Sequence, residues 1–425
     1  MNSAIPAPEL SSALIEQENH NFRHLVADIG WYGLALPAVS SFLSIYAINL
    51  GADAIALGLL SSLPAIAMLL GTFFTEWWSN RYTDIMRAQL GPAFVMRLRV
   101  LLLAVVPLLP VPWRVPALIA IMTVPGVAMS VASVVFMVIM QTAVTRRRFT
   151  ALVSRRQLAM NLSIAGSTLL LGVWLEKVAF PLNYQIMFVV LFTAMLISLW
   201  HVLQVRPLPE DALTTAPEAI HAPSPPSARP WRVPVFRRIA LLIGGVFTAY
   251  FSILSIIPLR LVNDLGASEG FIAIYSFLEL IGAASMAYFA PRLVERFGHR
   301  NLVTVTMAIT GLSAIILAIA PDRMLVLPAA LINGAAWTAT DITQFSFYSQ
   351  AVPEARKTAF SNAYYQAISV AIFIGPLIGS LLVTGGIALP TVLLIGAGLR
   401  ITSGWLMHTY RAPQPVTTVP EVQTP

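Results

Sequence analysis

The chain has 425 residues and a formal net charge of +7; 57% of its residues are hydrophobic and only 11% are charged. A soluble globular protein carries about 25% charged residues, so this composition excludes an ordinary soluble domain. The chain contains no cysteine, which excludes disulfides and thiolate metal sites.

Twelve apolar runs follow one another along the chain. Because a helix rises about 1.5 Å per residue, a run of about 20 residues can cross the hydrocarbon core of a bilayer. We therefore predict twelve transmembrane helices, over residues 26–49, 54–78, 93–112, 115–141, 157–179, 184–205, 236–261, 268–290, 301–320, 324–349, 360–384 and 387–409. Residues 1–25 are polar and lack the apolar segment of a cleaved signal peptide, so they are predicted to form an N-terminal tail.

The basic residues are concentrated in every second loop between these runs. The rich loops cover residues 81–87, 146–156, 229–238, 292–300 and 356–357, whereas the alternate loops hold only Arg114, Lys177, Arg260 and Arg323. Cytoplasmic loops carry an excess of Lys and Arg, so we expect both termini in the cytoplasm and the protein in the plasma (inner) membrane. This distribution also argues against nucleic acid as a partner; lipid headgroup binding is the alternative explanation.

A proline-rich segment divides the runs into two groups of six. Residues 206–235 are predicted to be a flexible cytoplasmic linker between bundles at 26–205 and 236–409, and residues 410–425 a C-terminal tail. The halves resemble each other: Leu50-Gly51-Ala52 aligns with Leu265-Gly266-Ala267, and Thr150-Ala151 aligns with Thr358-Ala359. Two matches in the same order predict two pseudo-symmetric six-helix bundles.

The stretch PRLVERFGHR, residues 291–300, resembles the loop between helices 2 and 3, or 8 and 9, of the major facilitator superfamily. The family pattern there is G-x-x-x-D-R-x-G-R-R. The matching positions are Glu295 for the acid, Arg296 for the arginine, Gly298 for the glycine, and His299 and Arg300 for the basic pair; Pro291 replaces the leading glycine. The first-half counterpart, WWSNRYTDIMRAQ, keeps only the charge character of Arg81, Asp84 and Arg87.

This resemblance implies an all-α integral membrane protein that moves a small molecule by alternating access. It implies that helices 7, 8, 10 and 11 line a central cavity and that helix 12 is peripheral. It also implies a latch on the cytoplasmic side, formed by Glu295, Arg296, Gly298 and Arg300 together with Arg81 and Asp84. The fifth run lacks the Gly-Pro element of the family's antiporters, and the fourth lacks their arginine motif, so export by proton antiport is not signalled.

Three ionisable residues lie far inside apolar runs. Glu279, Asp341 and Arg400 are roughly 18, 14 and 16 Å from the predicted cytoplasmic ends of their helices. A charge at the centre of a membrane helix costs on the order of 2.5–3.5 kcal/mol, so each should face protein or water rather than lipid.

Polar residues mark one face of the tenth run. Their spacing of three or four residues places them in one row: Asn333, Trp337, Asp341, Gln344 and Tyr348. In the eighth run Tyr275 and Glu279 share a face by the same rule. We interpret these seven residues as a substrate- or proton-binding surface and Arg400 as the counter-ion of Asp341. The alternatives are a structural Asp341–Arg400 pair and, for Glu279, a structural hydrogen bond or a different helix register.

Asp28, near the predicted start of the first helix, is expected to be a gate or capping residue.

An apolar first half and an acidic second half favour an amphipathic or lipophilic substrate, cationic among the options. We expect secondary transport by a monomer, driven by protons or by the substrate's own gradient. No catalytic, metal or cofactor site is predicted, because the six histidines lie near or outside the ends of the runs. A membrane-embedded enzyme and a non-transporting sensor are the rival classes.

Overall fold

The computed structural model describes residues 12–209, 230–350 and 357–409. Residues 1–11 of the predicted N-terminal tail, 210–229 of the predicted linker and 410–425 of the predicted C-terminal tail lie outside the described residues. The described part is built from helices, and twelve of them are long and apolar enough to cross a membrane. The predicted number of transmembrane helices is therefore confirmed.

We number the twelve spans α1 to α12. Their helical segments are α1 (Ser12–Val39 and Leu43–Asn49), α2 (Ala54–Ser79), α3 (Ile85–Val105), α4 (Val111–Thr123 and Gly126–Ala143), α5 (Arg146–Lys177), α6 (Leu182–Leu203), α7 (Pro234–Phe251, Ile256–Leu259 and a π-helical turn Arg260–Asp264), α8 (Glu269–Phe297), α9 (His299–Ile319), α10 (Leu327–Gln350), α11 (Lys357–Thr384) and α12 (Leu389–Thr409). Three helices begin eight or more residues earlier than the apolar runs predict: α1 by fourteen residues, α3 by eight and α5 by eleven. Their first turns contain polar residues, which a search for apolar runs leaves out.

Proline and glycine explain the interruption of α1 and its end. Pro37 has no backbone N–H and lies just before the break at residues 40–42, where the Phe42 N–H donates to the Pro37 carbonyl at 3.0 Å. Gly51 follows α1 with φ +95°, and Gly266 follows α7 with φ +61°. These are the two glycines that the internal alignment matches, and both adopt the left-handed region that glycine tolerates best.

The described chain forms two compact units. The first unit contains residues 12–51 and 67–209, and the second contains residues 52–66, 230–350 and 357–409. In the first unit α1 packs against α5 and α6, while α3 packs against α4 and α6. Its core includes an aromatic cluster in which Tyr46 lies 4.9 Å from Tyr184 and 5.1 Å from Phe188, measured between ring centroids.

In the second unit α8 packs along α10, α9 along α12 and α10, and α7 along α11 and α12. The α8–α10 seam brings two backbones together, because Gly282 faces the Leu331 backbone and Gly334 faces the Glu279 backbone. A Cβ atom at either glycine would collide with that backbone. Small residues at membrane helix interfaces permit such close approach, and here it brings Glu279 next to α10.

Candidate functional site: a polar cluster in the second unit and an ion cluster in the first

A polar cluster at mid-depth of the second unit centres on Asn333. Glu279, Asn333 and Arg400 lie ten, ten and eleven residues after the first residue of their spans, which are 22, 22 and 21 residues long. Since α8, α10 and α12 are alternate helices, they run in the same direction, and the three side chains share one depth. Asn333 is 3% and Arg400 1% exposed, whereas Glu279 is only partly buried.

Asn333 connects the acid to the base. Its amide nitrogen Nδ2 donates to Glu279 Oε1 at 2.7 Å and to the Tyr250 hydroxyl at 3.1 Å. Its amide oxygen accepts from Arg400 Nη1 at 3.4 Å. Glu279 and Arg400 therefore interact through the amide, and none of the ion pairs found among the described residues includes either of them.

Backbone carbonyls and an aromatic ring hold the Arg400 guanidinium in place. Nη2 donates to the Tyr250 carbonyl at 2.7 Å, Nη1 donates to the Thr310 carbonyl at 3.1 Å, and the guanidinium carbon lies 4.4 Å from the Tyr250 ring centroid. The Nε atom has no hydrogen-bond partner among the described residues. Arg400 thus connects α12 to α7 and α9, which explains how so costly a side chain is tolerated at this depth.

The predicted pairing of Arg400 with Asp341 is wrong. Asp341 lies eight residues beyond Asn333, which is about 12 Å further along α10, and its side chain is exposed. The prediction placed the acid at the depth of Arg400 because both depths were measured from estimated helix ends. In the structure the residue of α10 at the level of Arg400 is Asn333.

The other residues of the predicted binding surface lie in different environments. Trp337 stacks on Tyr250 with the ring centroids 3.6 Å apart and an interplanar angle of 14°, and it remains partly exposed. Tyr275 is buried on α8. Gln344 is fully buried, and the side chain of Tyr348 lies outside the described ones. The structure thus brings together Asn333, Trp337 and Glu279, but does not extend the cluster to Asp341.

The first unit holds a buried ion cluster around Asp28. Asp28 Oδ2 lies 3.1 Å from Arg156 Nη1, Oδ1 lies 3.7 Å from Arg97 Nη2, and Oδ1 accepts from the Ser198 hydroxyl at 2.6 Å. Asp28 is the seventeenth residue of α1, so the predicted position near a helix start, and with it a capping role, is wrong. The error follows from the early start of α1 at Ser12.

The buried arginines of the first unit were not predicted from the sequence. Arg97 and Arg99 lie inside the predicted third run and are 3% and 6% exposed. The basic-loop assignment of Arg156 is wrong, because this residue lies ten residues inside α5 and is buried. The insertion cost that identified Glu279 applies equally to Arg97 and Arg99, so it could have found them. The expectation of an apolar first half is therefore wrong.

The family-like loop is a sharp join between two helices. Gly298 separates α8 from α9 with φ +74°, and its N–H donates to the Val294 carbonyl at 2.8 Å. Glu295, Arg296 and Arg300 are exposed there. In the first unit Arg81 lies 3.8 Å from the Trp77 ring centroid, while Asp84 caps α3 by accepting from the Met86 N–H at 2.9 Å. The positive φ explains the glycine of the motif; a latching role of these residues stays a prediction.

Within the described residues, no group of three or more His, Asp or Glu side chains is arranged to hold a metal ion. The chemistry at hand is that of carboxylates, amides, guanidinium groups and aromatic rings. Such side chains bind solutes and exchange protons.

Twelve membrane-length helices with ionisable side chains buried at mid-depth define a multi-pass membrane protein. The model of the Major Facilitator Superfamily matches residues 25–376, and the chain belongs to this family. It is therefore a membrane transporter and not an enzyme. The predicted all-α architecture with two six-helix halves is thereby confirmed. No curated protein sequence matches the chain.

Solved transporters share the fold at low sequence identity. The nucleoside transporter NupG is similar with a TM-score of 0.66 and 12% identity, covering 93% of this chain and 100% of that chain. A D-xylose-proton symporter gives 0.63 and 17%, covering 92% and 97%. A bacterial homologue of the iron transporter ferroportin gives 0.64 and 14%, covering 94% and 100%. At these identities the similarity concerns the fold alone.

Proposed function

We propose that the protein is a secondary active transporter that moves a small amphipathic molecule by alternating access, coupled to protons through Glu279. One observation carries the proposal. The Glu279 carboxylate lies at mid-depth, is partly accessible, and accepts a hydrogen bond from Asn333 at 2.7 Å without belonging to any ion pair found among the described residues. A carboxylate held in this way is placed to take up and release a proton.

The surroundings of Glu279 accommodate both protonation states. When the carboxylate is ionised, Asn333 donates to it and Arg400, on the other side of the amide, offsets its charge. When it is protonated, Arg400 keeps its bonds to the carbonyls of Tyr250 and Thr310, so no second charge loses its partners. Protonation therefore changes the charge of the cluster without dismantling it.

The substrate is proposed to contact the accessible part of the α8 and α10 side chains. Trp337 offers an aromatic face and Asp341 an exposed carboxylate, while Tyr275 and Gln344 lie buried on the same two helices. The cationic option rested on an apolar first half together with an acidic second half, and the buried Arg97 and Arg99 of the first unit no longer favour it.

The basic loops support cytoplasmic termini in a plasma membrane. We also propose bundles at 26–205 and 236–409, although residues 52–66 pack with the second unit, and a latching role for the exposed loop residues. We propose a monomer.

Transport in liposomes tests the role of Glu279. A ligand library is first screened by thermal shift on the purified protein, and the uptake of a hit is then measured with and without an imposed pH gradient. Wild type is expected to concentrate the ligand only with the gradient. Glu279→Gln keeps the side-chain volume and cannot titrate, so it should lose gradient-driven accumulation and retain exchange of internal for external ligand.

Glu16→Gln is the matched control, because Glu16 is exposed on the first turns of α1. Retained gradient dependence in Glu279→Gln would refute the coupling role. Equilibration of the ligand by wild type, with no response to the pH gradient, would instead identify a uniporter.

A further inference from the structure

The first unit buries more positive than negative charge. Arg97, Arg99 and Arg156 are 3, 6 and 8% exposed, and Asp28, at 4%, pairs with Arg97 and Arg156 but not with Arg99. The other buried carboxylate of this unit, Glu18, accepts from Thr145 and pairs with Arg148. Formally, two positive charges remain without a buried counter-charge in the described part of the unit. Burying such charges is expensive unless a partner supplies the missing anion.

The three arginines differ in their hydrogen bonds. Arg97 donates to the carbonyls of Met195 and Ala93 and to the Ser198 hydroxyl. Arg156 donates to the Leu25 carbonyl and to Asp28. These two side chains are fixed by the protein itself.

Arg99 forms no hydrogen bond or ion pair with any described residue, and its Nε is buried without a partner. A guanidinium group has five N–H donors, and a buried Nε–H without an acceptor is rare in a stable protein. The missing acceptor is therefore the feature that needs explaining.

Tyr32 provides a second donor at the same place. Its ring centroid lies 5.8 Å from the Arg97 guanidinium carbon, and its hydroxyl reaches Met96, which lies three residues before Arg99 and so on the same face of α3. Among the described residues, the Tyr32 hydroxyl contacts only the Met96 sulfur, at 3.9 Å, which is a weak acceptor. Tyr32 is partly exposed, so the place is not sealed. A guanidinium and a hydroxyl are the donors that recognise carboxylate and phosphate oxygens.

The depth of Arg99 separates two sources of such an oxyanion. Arg99 lies fourteen residues after Ile85 and nine before Leu108 in its span, or roughly 21 and 14 Å along the helix axis. Lipid phosphates lie outside a hydrocarbon core that is about 30 Å thick. A headgroup on either side is therefore too far away, whereas a dissolved small molecule that enters through a polar path is not.

We propose that Arg99 and Tyr32 form a binding site for the carboxylate or phosphate group of a small organic anion. The inference rests on the proposed transport function and specifies its substrate class: an amphipathic anion. Arg97, Arg156 and Asp28 act as positioning residues, which keep α1, α3 and α5 together around the site and add one net positive charge to it.

Thermal unfolding of the purified full-length protein in detergent tests the site with two probes, sodium benzoate and inorganic phosphate. Sodium chloride at equal ionic strength is the reference. At least one probe is expected to raise the midpoint of wild type by about 2 °C or more. Arg99→Met should abolish this shift. It should also raise the midpoint of the anion-free protein, because it removes a buried charge that has no partner.

Arg87→Met is the matched control: Arg87 lies on the same helix with its side chain 81% exposed, and the probe should act on this variant as on wild type. Tyr32→Phe serves if Arg99→Met does not fold, and it should reduce the affinity for the probe several-fold. The proposal is overturned if neither probe stabilises wild type, or if Arg99→Met lowers the anion-free midpoint and keeps the shift. It is also overturned if only phosphatidylglycerol in nanodiscs stabilises the protein.

Binding in detergent requires neither a membrane nor a pH gradient. A negative result here therefore leaves proton coupling through Glu279 untouched. Loss of coupling in Glu279→Gln equally leaves the oxyanion site in place.

Discussion

The two units bury different balances of charge in a similar framework: the first has a surplus of positive charge, and the second has one base and one partly buried acid. In the first unit, Arg97 and Arg156 pair with Asp28, and Arg99 is buried two residues after Arg97. In the second, Arg400 is the buried base, and the acid beside it, Glu279, is held by an amide instead of an ion pair. In both units an arginine from a later helix reaches the first helix of the half: Arg97 of α3 reaches α1, and Arg400 of α12 reaches α7.

The comparison shows that the internal repeat concerns the backbone more than the chemistry. Gly51 and Gly266 keep the same backbone role in the two halves, whereas the buried polar residues of the two clusters differ in charge. We infer that the halves bind different species. The first offers positive charge to an anion, and the second offers a carboxylate to a proton.

The largest effect should come from breaking the ion cluster of the first unit. Asp28→Asn removes the carboxylate that Arg97 and Arg156 share, and loss of one partner of a buried ion pair costs about 3–5 kcal/mol. We expect a strongly lowered unfolding midpoint and a smaller monodisperse fraction in size-exclusion chromatography. Asp341→Asn is the control, because an exposed site changes stability by about 0.5 kcal/mol or less. Equal effects of the two changes would contradict the assigned burial.

In the second unit, stability should be most sensitive to substitutions at the contact between α8 and α10. Gly334→Ala places a methyl group against the Glu279 backbone, and overpacking of this kind costs about 1–3 kcal/mol. The two helices must separate, so the Glu279–Asn333 hydrogen bond should also lengthen. A lowered unfolding midpoint together with weakened gradient-driven uptake is the expected result.

Gly245→Ala is the control for that change. Gly245 lies in α7, and a Cβ atom there would meet nothing within 4 Å. Its effect should be neutral or stabilising by about 0.4–1 kcal/mol, because alanine reduces the freedom of the unfolded chain. If Gly245→Ala destabilised the protein as much as Gly334→Ala, the close contact between α8 and α10 could not be the cause of the loss.

Much of the fold follows from the sequence, because membrane helices are recognisable by their length and apolarity. The site follows less well, since its contacts depend on which helices pack together. The sequence identifies Arg400 as a charge that is costly inside a membrane helix. Its partners, however, depend on the packing of α12 against α7 and α9 and on which residue of α10 lies at the depth of Arg400. Asn333 and Asp341 lie in one helical row, yet the first is buried and the second exposed, because neighbouring helices cover only part of the row.

Arg99 could not be identified as a site residue from the sequence for a different reason. It lies inside a transmembrane helix, and a count of basic residues in the loops does not include it. What makes it informative is the absence of a hydrogen-bond partner among the described residues, and no pattern in one sequence reports that.

The smallest expected effect on stability is the loss of a single tyrosine hydroxyl, which can be compared between the two units. The Tyr250 hydroxyl accepts from Asn333 at 3.1 Å in a buried setting, so Tyr250→Phe should cost about 0.5–1.5 kcal/mol. The Tyr32 hydroxyl has only a sulfur contact at 3.9 Å among the described residues, so Tyr32→Phe should leave the anion-free unfolding midpoint nearly unchanged. With a bound oxyanion the order should reverse, because only Tyr32→Phe then removes a bond to the ligand. Unfolding midpoints of both variants, with and without the probe, decide this. If Tyr32→Phe were the costlier change without an anion, the hydroxyl would have a structural partner, and the two units would differ less than their charges indicate.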